Sequence, residues 1–235
     1  MLFRSYVYDT FYAPYTKKMW GLSMDMIDDS VINRVPVRVD DNDLYFPNDT
    51  YQYLPKNGYN MLFSKMLDHE NITIKLNTSF TKDMENDYFH VFNSMPIDVY
   101  YDYKFGELPY RSIKFNHIHH KQESMTKHPV INFTDDGVYT RMIEWKNFPN
   151  HGINNNITTV TYEMPCDYKE NYMERYYPVK DSKGLNREIY KQYKDIKNDK
   201  VTFIGRCGMY VYIDMDQAVN QAMSAAIRYL NILEL

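Results

Sequence analysis

The 235 residues include only 2 cysteines, Cys166 and Cys207. That is too few for a disulfide framework or a metal knuckle, so a reducing compartment is expected. No run of Lys or Arg occurs and the formal net charge is −4, which excludes the basic stripe of a nucleic-acid surface. No stretch approaches transmembrane length, and Met1-Leu2-Phe3-Arg4-Ser5-Tyr6 lacks the apolar core of a signal peptide. A cytoplasmic protein without membrane contact is the expectation. Also missing are a glycine-rich dinucleotide fingerprint, a phosphate-binding loop, a hydrolase nucleophile elbow and a kinase signature.

What is present is tyrosine: 24 Tyr with 12 Phe and 2 Trp bring aromatics to 16%. Tyr joins a flat apolar face to a hydroxyl, which suits sugars, nucleobases and flavin rings. AT-rich coding accounts for the excess equally well, since Asn and Met are also abundant. Hydrophobic content of 44% and charged content of 25% are ordinary for a globular chain.

The pattern along the chain is α+β. Phe3, Tyr6, Val7 and Phe11 fall at helical spacing, with Pro14 marking a break or a new first turn before Tyr15 to Gly21. Ser23 to Val31 reads as a short helix with Ser23 as N-cap. Short β-rich segments follow at Val35–Val39, Tyr51–Leu54, Ile72–Leu76, Val91–Phe92, Ser112–His119, Val130–Phe133, Tyr139–Trp145 and Ile157–Glu163. Their turn signals predict a mostly antiparallel sheet with flanking helices. Tyr59–Leu67, Asn186–Lys194 and Asp216–Leu235 read as helices and Val201–Ile204 as a buried strand.

Five constellations could carry chemistry. Gly205-Arg206-Cys207-Gly208, between a strand and a helix start, is suited to present N–H groups and one cation to an anion. Arg34, Arg38, Arg111, Arg141 and Arg206 are embedded in apolar segments and call for an anion or a carboxylate. Tyr12, Tyr15 and Trp20 could wall a planar ring, or simply belong to the core, and Tyr176-Tyr177-Pro178 reads equally as a phosphate contact or edge-strand packing. His117 and His119 would share a strand face, but no Asp, Glu or Cys completes a site, so no metal is expected. Asp98, Asp102 and Asp214 remain unassigned acids or bases.

The order of these motifs resembles the UDP-galactopyranose mutase family from about Phe11 to Ala226. The resemblance is carried by Tyr15-Thr16-Lys17-Lys18-Met19-Trp20-Gly21, Ile32-Asn33-Arg34-Val35-Pro36-Val37-Arg38, Tyr45-Phe46 and Tyr51-to-Tyr59. It continues through Pro96-Ile97-Asp98, Phe105-to-Ser112, Asn132, Tyr139-to-Glu144, Tyr176-to-Val179 and Gly205-to-Gln217. It implies interconversion of UDP-galactopyranose and UDP-galactofuranose, with reduced FAD as a covalent nucleophile and the protein orienting and stabilising charge.

Residue by residue, the resemblance implies that Arg34 and Arg141 hold the diphosphate. Phe11, Tyr12, Tyr15, Thr16 and Trp20 would serve the uridine, with Tyr45 and Phe46 beside it. Asn132 would lie near ribose or phosphate, and Tyr177 and Tyr212 would bond the phosphates. Arg111, Gly205, Arg206, Tyr212, Asp214, Met215 and Gln217 would face the flavin. Three parts are implied: residues 1–31 from a helical domain, 32–200 as the sheet domain (88–105 packing on the FAD domain), and 201–235 as the flavin-contacting end. The family's first third, with Gly-x-Gly-x-x-Gly and the adenosine site, has no counterpart in these residues. Tight FAD binding is therefore expected only with a complementing polypeptide, and a UDP-binding or structural remnant is the alternative. Self-association into a homodimer is left open. Departures from the pattern are Ser94-Met95 for Thr-Gly, Trp145 for His and Cys207 for Leu.

Overall fold

The computed structural model describes residues 6–32, 40–42, 44, 46–149, 151–152 and 155–233. The expected strand at 35–39 and the expected site residues Arg34 and Tyr45 lie outside them. The aromatic spacing at the start gives a helix: a wide π-helical turn, Tyr8–Tyr12, runs into α1, Ala13–Trp20. Pro14 sits in the first turn of α1, where a missing N–H breaks no bond. Gly21 closes α1 at φ 65°, the left-handed region that favours glycine. The helix expected from Ser23 divides into a tight turn, Met24–Met26, and α2, Asp29–Ile32, because Ile27 between them turns extended and bridges Asp181.

The remaining elements are α3 (Gly58–Met66), β1 (Val91–Asn93), α4 (Ile97–Tyr100), β2 (Tyr110–His120), β3 (Val130–Asn132), β4 (Arg141–Glu144), β5 (Thr158–Asp167), β6 (Tyr177–Pro178), α5 (Leu185–Lys194), β7 (Val201–Phe203), α6 (Gly205–Gly208) and α7 (Met215–Ile232). Five strands form an antiparallel sheet in the order β3-β4-β5-β2-β6, flanked by helices. A separate parallel pair, β1-β7, carries His90 and Phe92 against Tyr229 of α7, with ring centroids 4.2 and 5.8 Å apart. Tyr51–Leu54 and Ile72–Leu76, expected as strands, are irregular on either side of α3. β-forming side chains make a strand only where a neighbouring edge offers a ladder, and none does so here among the described residues.

Much of the tyrosine is core. Tyr110, Tyr168, Tyr177 and Tyr193 are all but inaccessible. Their hydroxyls find acceptors inside: Tyr110 donates to the Cys207 carbonyl at 3.1 Å, Tyr193 to that of Gly106 at 2.6 Å, Tyr177 to that of Met19, and Tyr168 to the Glu107 carboxylate. Among the described residues no helix is long and apolar enough to cross a membrane.

Candidate functional site

Strand register builds the site. Arg141 on β4 stands directly opposite Asn132 on β3 and Glu163 on β5, and Glu163 stands opposite Phe115 on β2. Opposed residues share a face, so these four side chains form one row across four strands. Helix α1 lies over that row and lowers Tyr15 onto it. Arg141 donates from Nε to Asn132 Oδ1 at 3.1 Å and from Nη2 to Tyr15 Oη at 3.0 Å. Its Nη1 lies 3.6 Å from Glu163 Oε2, and the Glu163 side chain is only 7% exposed.

This geometry sets the charges. Burial works against the Arg141 cation, but Tyr15 and Glu163 beside it outweigh that, and it holds its proton more firmly than a free arginine. Burial raises the Glu163 carboxyl above the ordinary range, with Arg141 opposing. The Tyr15 phenol is likewise pushed up by burial and drawn back by Arg141.

A second grip holds the end of α1. Arg111 donates to the Met19 carbonyl at 3.1 Å and to that of Lys18 at 3.4 Å, and the Tyr177 hydroxyl also donates to the Met19 carbonyl. Trp20, 6% exposed, packs edge-on against Tyr177 and Tyr212 with centroids 5.1 and 5.6 Å away. Tyr15, in the first turn of α1, is thereby fixed over Arg141.

The third part comes from α6. Arg206 donates Nε and Nη2 to the Ile213 carbonyl at 3.2 and 2.5 Å, and Nη1 to that of Tyr176 at 2.9 Å. Its guanidinium lies 4.9 Å from the Tyr212 ring and 5.8 Å from that of Tyr176. Burial raises the Tyr176 phenol, Glu163 and Tyr212 add to this, and Arg206 and Arg141 oppose it. Tyr176 therefore sits within electrostatic reach of both arginines. Nearby, Gly205 adopts φ 73° and donates its N–H to Gln221 Oε1 at 2.7 Å. Asp214 caps α7, and Gln217 Oε1 accepts the Asp214 N–H at 2.9 Å.

The structure thus brings together Tyr15, Trp20, Arg111, Asn132, Arg141, Tyr177, Arg206 and Tyr212. Phe11, Tyr12, Phe46 and Met215 are exposed, and Thr16 is half-buried. Of the unassigned acids, Asp98 is buried and accepts the Leu108 N–H at 3.0 Å, while Asp102 meets Lys82 at 2.7 Å. His117 and His119 share a face as alternation predicts, their Nδ1 atoms 2.7 and 2.8 Å from the Thr161 and Thr159 hydroxyls. Sequence reasoning missed Glu163 and underrated Tyr176. The only signal for Glu163 was an acid alternating into an apolar strand, which gains meaning once the register sets it against Arg141.

Comparison with known proteins gives the family. Residues 10–212 match the family profile described as UDP-galactopyranose mutase. The chain is 34% identical to a UDP-galactopyranose mutase of Mycoplasma pneumoniae over 93% of its own length and 58% of that relative. It is 34% identical to the UDP-galactopyranose mutase of Mycoplasma genitalium over 94% and 58% of the two lengths. A dTDP-fucopyranose mutase of Escherichia coli is also 34% identical, over 95% of this chain and 60% of that protein. The chain spans about three-fifths of the length of these curated relatives. With most of its length matched by one profile, the chain belongs to the UDP-galactopyranose mutase family.

Proposed function

We propose that this chain supplies the nucleotide-sugar side of a mutase that converts a pyranose ring to a furanose while the sugar stays attached to a nucleoside diphosphate. One observation carries the reading: Arg141, fixed by Tyr15, Asn132 and Glu163 from three other elements. A guanidinium locked in that way is a preorganised partner for a diphosphate, whose charge grows as it leaves the anomeric carbon. Tyr212 and Tyr176 place phenols beside it, and Phe11 and Tyr12 at the open end of α1 offer ring faces to a base. The names of the relatives share a pyrimidine nucleoside diphosphate and differ in the sugar. The substrate class is therefore a UDP- or dTDP-hexose, with UDP-galactose as the leading member.

Reduced FAD, which family membership implies, would supply the nucleophile. The residues present do not by themselves fit the whole dinucleotide. The donors of Arg206 already meet the Ile213 and Tyr176 carbonyls, and the first turn of α7 is closed by its own Asp214–Gln217 cap. They make one polar wall, and the phosphate cradle must come from outside these residues. The same engagement favours a second reading, a nucleotide-sugar binder without catalysis.

Calorimetric titration with UDP and dTDP, without flavin, tests the common core of both readings. The parent chain should bind at least one of them, and Arg141→Ala should weaken binding about 30–100-fold. Binding that ignores the Arg141→Ala change would remove the diphosphate site.

A further inference from the structure

The tyrosines that pack beside β7 leave a space between them. A cavity of about 280 Å³ lies between the two ends of α4, the last turns of α5 and β7. Packed interiors leave few voids larger than a water molecule, and a cavity of about 150 Å³ already holds benzene. This one has room for two fused rings. Its walls are aromatic: Tyr101, Tyr190, Tyr193 and Phe203 all line it. The Tyr101 and Tyr193 rings lie within 17° of parallel with centroids 6.1 Å apart, and Tyr101 meets Phe203 at 5.8 Å. Tyr193 is held in place by its hydrogen bond to the Gly106 carbonyl, and Tyr190 by stacking on Tyr210 with centroids 6.0 Å apart.

The polar groups of the lining are few, and the charged one is a cation. Lys194, exposed at the end of α5, brings an ammonium to the rim and has no ion pair or hydrogen bond among the described residues. No carboxylate lines the cavity among the described residues. Burial alone raises the Tyr190 phenol, and its hydroxyl has no partner among the described residues. Aromatic faces accept another ring or a cation, but an ammonium at the mouth repels a cation and attracts an anion.

We infer that this cavity binds a small aromatic acid, a flat one- or two-ring system bearing one carboxylate, with its rings against Tyr101, Tyr190 and Phe203 and its carboxylate on Lys194. Largely apolar walls with one convergent charge are the usual make-up of a small-molecule site. A single ammonium suits one carboxylate, whereas the planar fork of Arg141 suits the paired oxygens of a diphosphate. The cavity shares no lining residue with the Arg141 row. It is therefore a second site, and its occupancy is independent of the nucleotide reading.

The experiment titrates β-naphthoate into the full chain carrying isotope-labelled methionine methyls. Met209 lines the cavity, and Met223 lies exposed on α7 as a control for adhesion to apolar surface. One saturable site is expected, with the Met209 methyl shifted by the ring current of the probe and the Met223 methyl unmoved. β-Naphthamide, which has the same rings without the charge, should bind at least about fivefold more weakly, and Lys194→Met should weaken β-naphthoate by a similar factor. Ile196→Trp fills the cavity and should abolish binding in a chain whose urea unfolding remains cooperative. Should that variant fail to fold, the Met209 methyl of the parent chain still decides. No binding, equal affinity for acid and amide, binding that survives in folded Ile196→Trp, or shifts at Met223 as large as those at Met209 would each overturn the proposal.

Discussion

Two glutamates on neighbouring strands show how position decides what a carboxylate does. Glu144 has no exposed surface and both oxygens are saturated: the Ser124 and Thr158 hydroxyls and the Met125 N–H donate to Oε1, the Thr126 N–H and the Asn147 amide to Oε2. Burial alone would raise its pKa, but these donors outweigh it and the carboxyl titrates below the ordinary range. A folded-state pKa below the unfolded one gives stability that is complete above about pH 5 and lost as pH falls through the folded value. Glu144→Gln should therefore cost about 2–3 kcal/mol at neutral pH and clearly less in acid, measured by urea unfolding. An equal cost at both pH values would assign the loss to shape rather than charge.

Glu163 has the opposite sign. Burial holds its pKa up, so acidification neutralises it before an ordinary glutamate and frees the Arg141 cation for an anion. Affinity for a UDP-sugar should rise as pH falls from 7 toward about 5.5, by an amount on the order of 1 kcal/mol or less. In Glu163→Gln it should be high at both ends and flat between. Calorimetry at the two pH values decides, and affinity that drops on acidification counts against the pairing.

At the scale of elements, α1 is the piece that must be placed correctly, and Gly21 is where placement is set. A Cβ built there would lie 2.9 Å from Arg111 Nη1, on a backbone with φ +65°. Gly21→Ala should cost about 1–2 kcal/mol from the left-handed conformation alone, and more as Arg111 is pushed off the end of α1. Thermal unfolding should show a drop of about 2–4 °C per kcal/mol.

Legibility in the sequence also divides by element. The long strands were readable because alternation persisted: Ser112–His119 lies within Tyr110–His120, and Ile157–Glu163 largely within Thr158–Asp167. Tyr51–Leu54 and Ile72–Leu76 have similar side chains but meet no ladder, which no local pattern reveals. Arg141 stands out in the sequence as a cation within an apolar segment and gains a role from the order of the family motifs, whereas Glu163 gains meaning only through strand register. The strand before Gly205 and the helix that closes the chain are legible in the sequence, whereas the helical turn Gly205–Gly208 between them and the tie of its arginine to backbone carbonyls are not.

On the scale of the whole molecule, stability is unevenly distributed. The paired strands β2 and β5 carry the buried Ser112, Ile113, Val160 and Thr161, whereas no residue from 51 to 80 is buried. Hydrogen exchange on the isolated chain should find β2 and β5 amides slowest and those of 51–76 near unprotected rates. Strong protection across 51–76 would mean that this segment is covered when the chain is alone.

The two tryptophans occupy contrasting surroundings, Trp20 wedged between Tyr177 and Tyr212 and Trp145 half in water with its indole N–H on Thr161. Replacing Trp145 by Phe leaves a single indole emitter, seated in a dry place against Tyr177 and Tyr212 and fed by excitation from those phenols. Anything that settles against Tyr15 or Tyr212 disturbs its glow. The molecule thus carries a built-in optical gauge at the point where its ligand is expected to arrive.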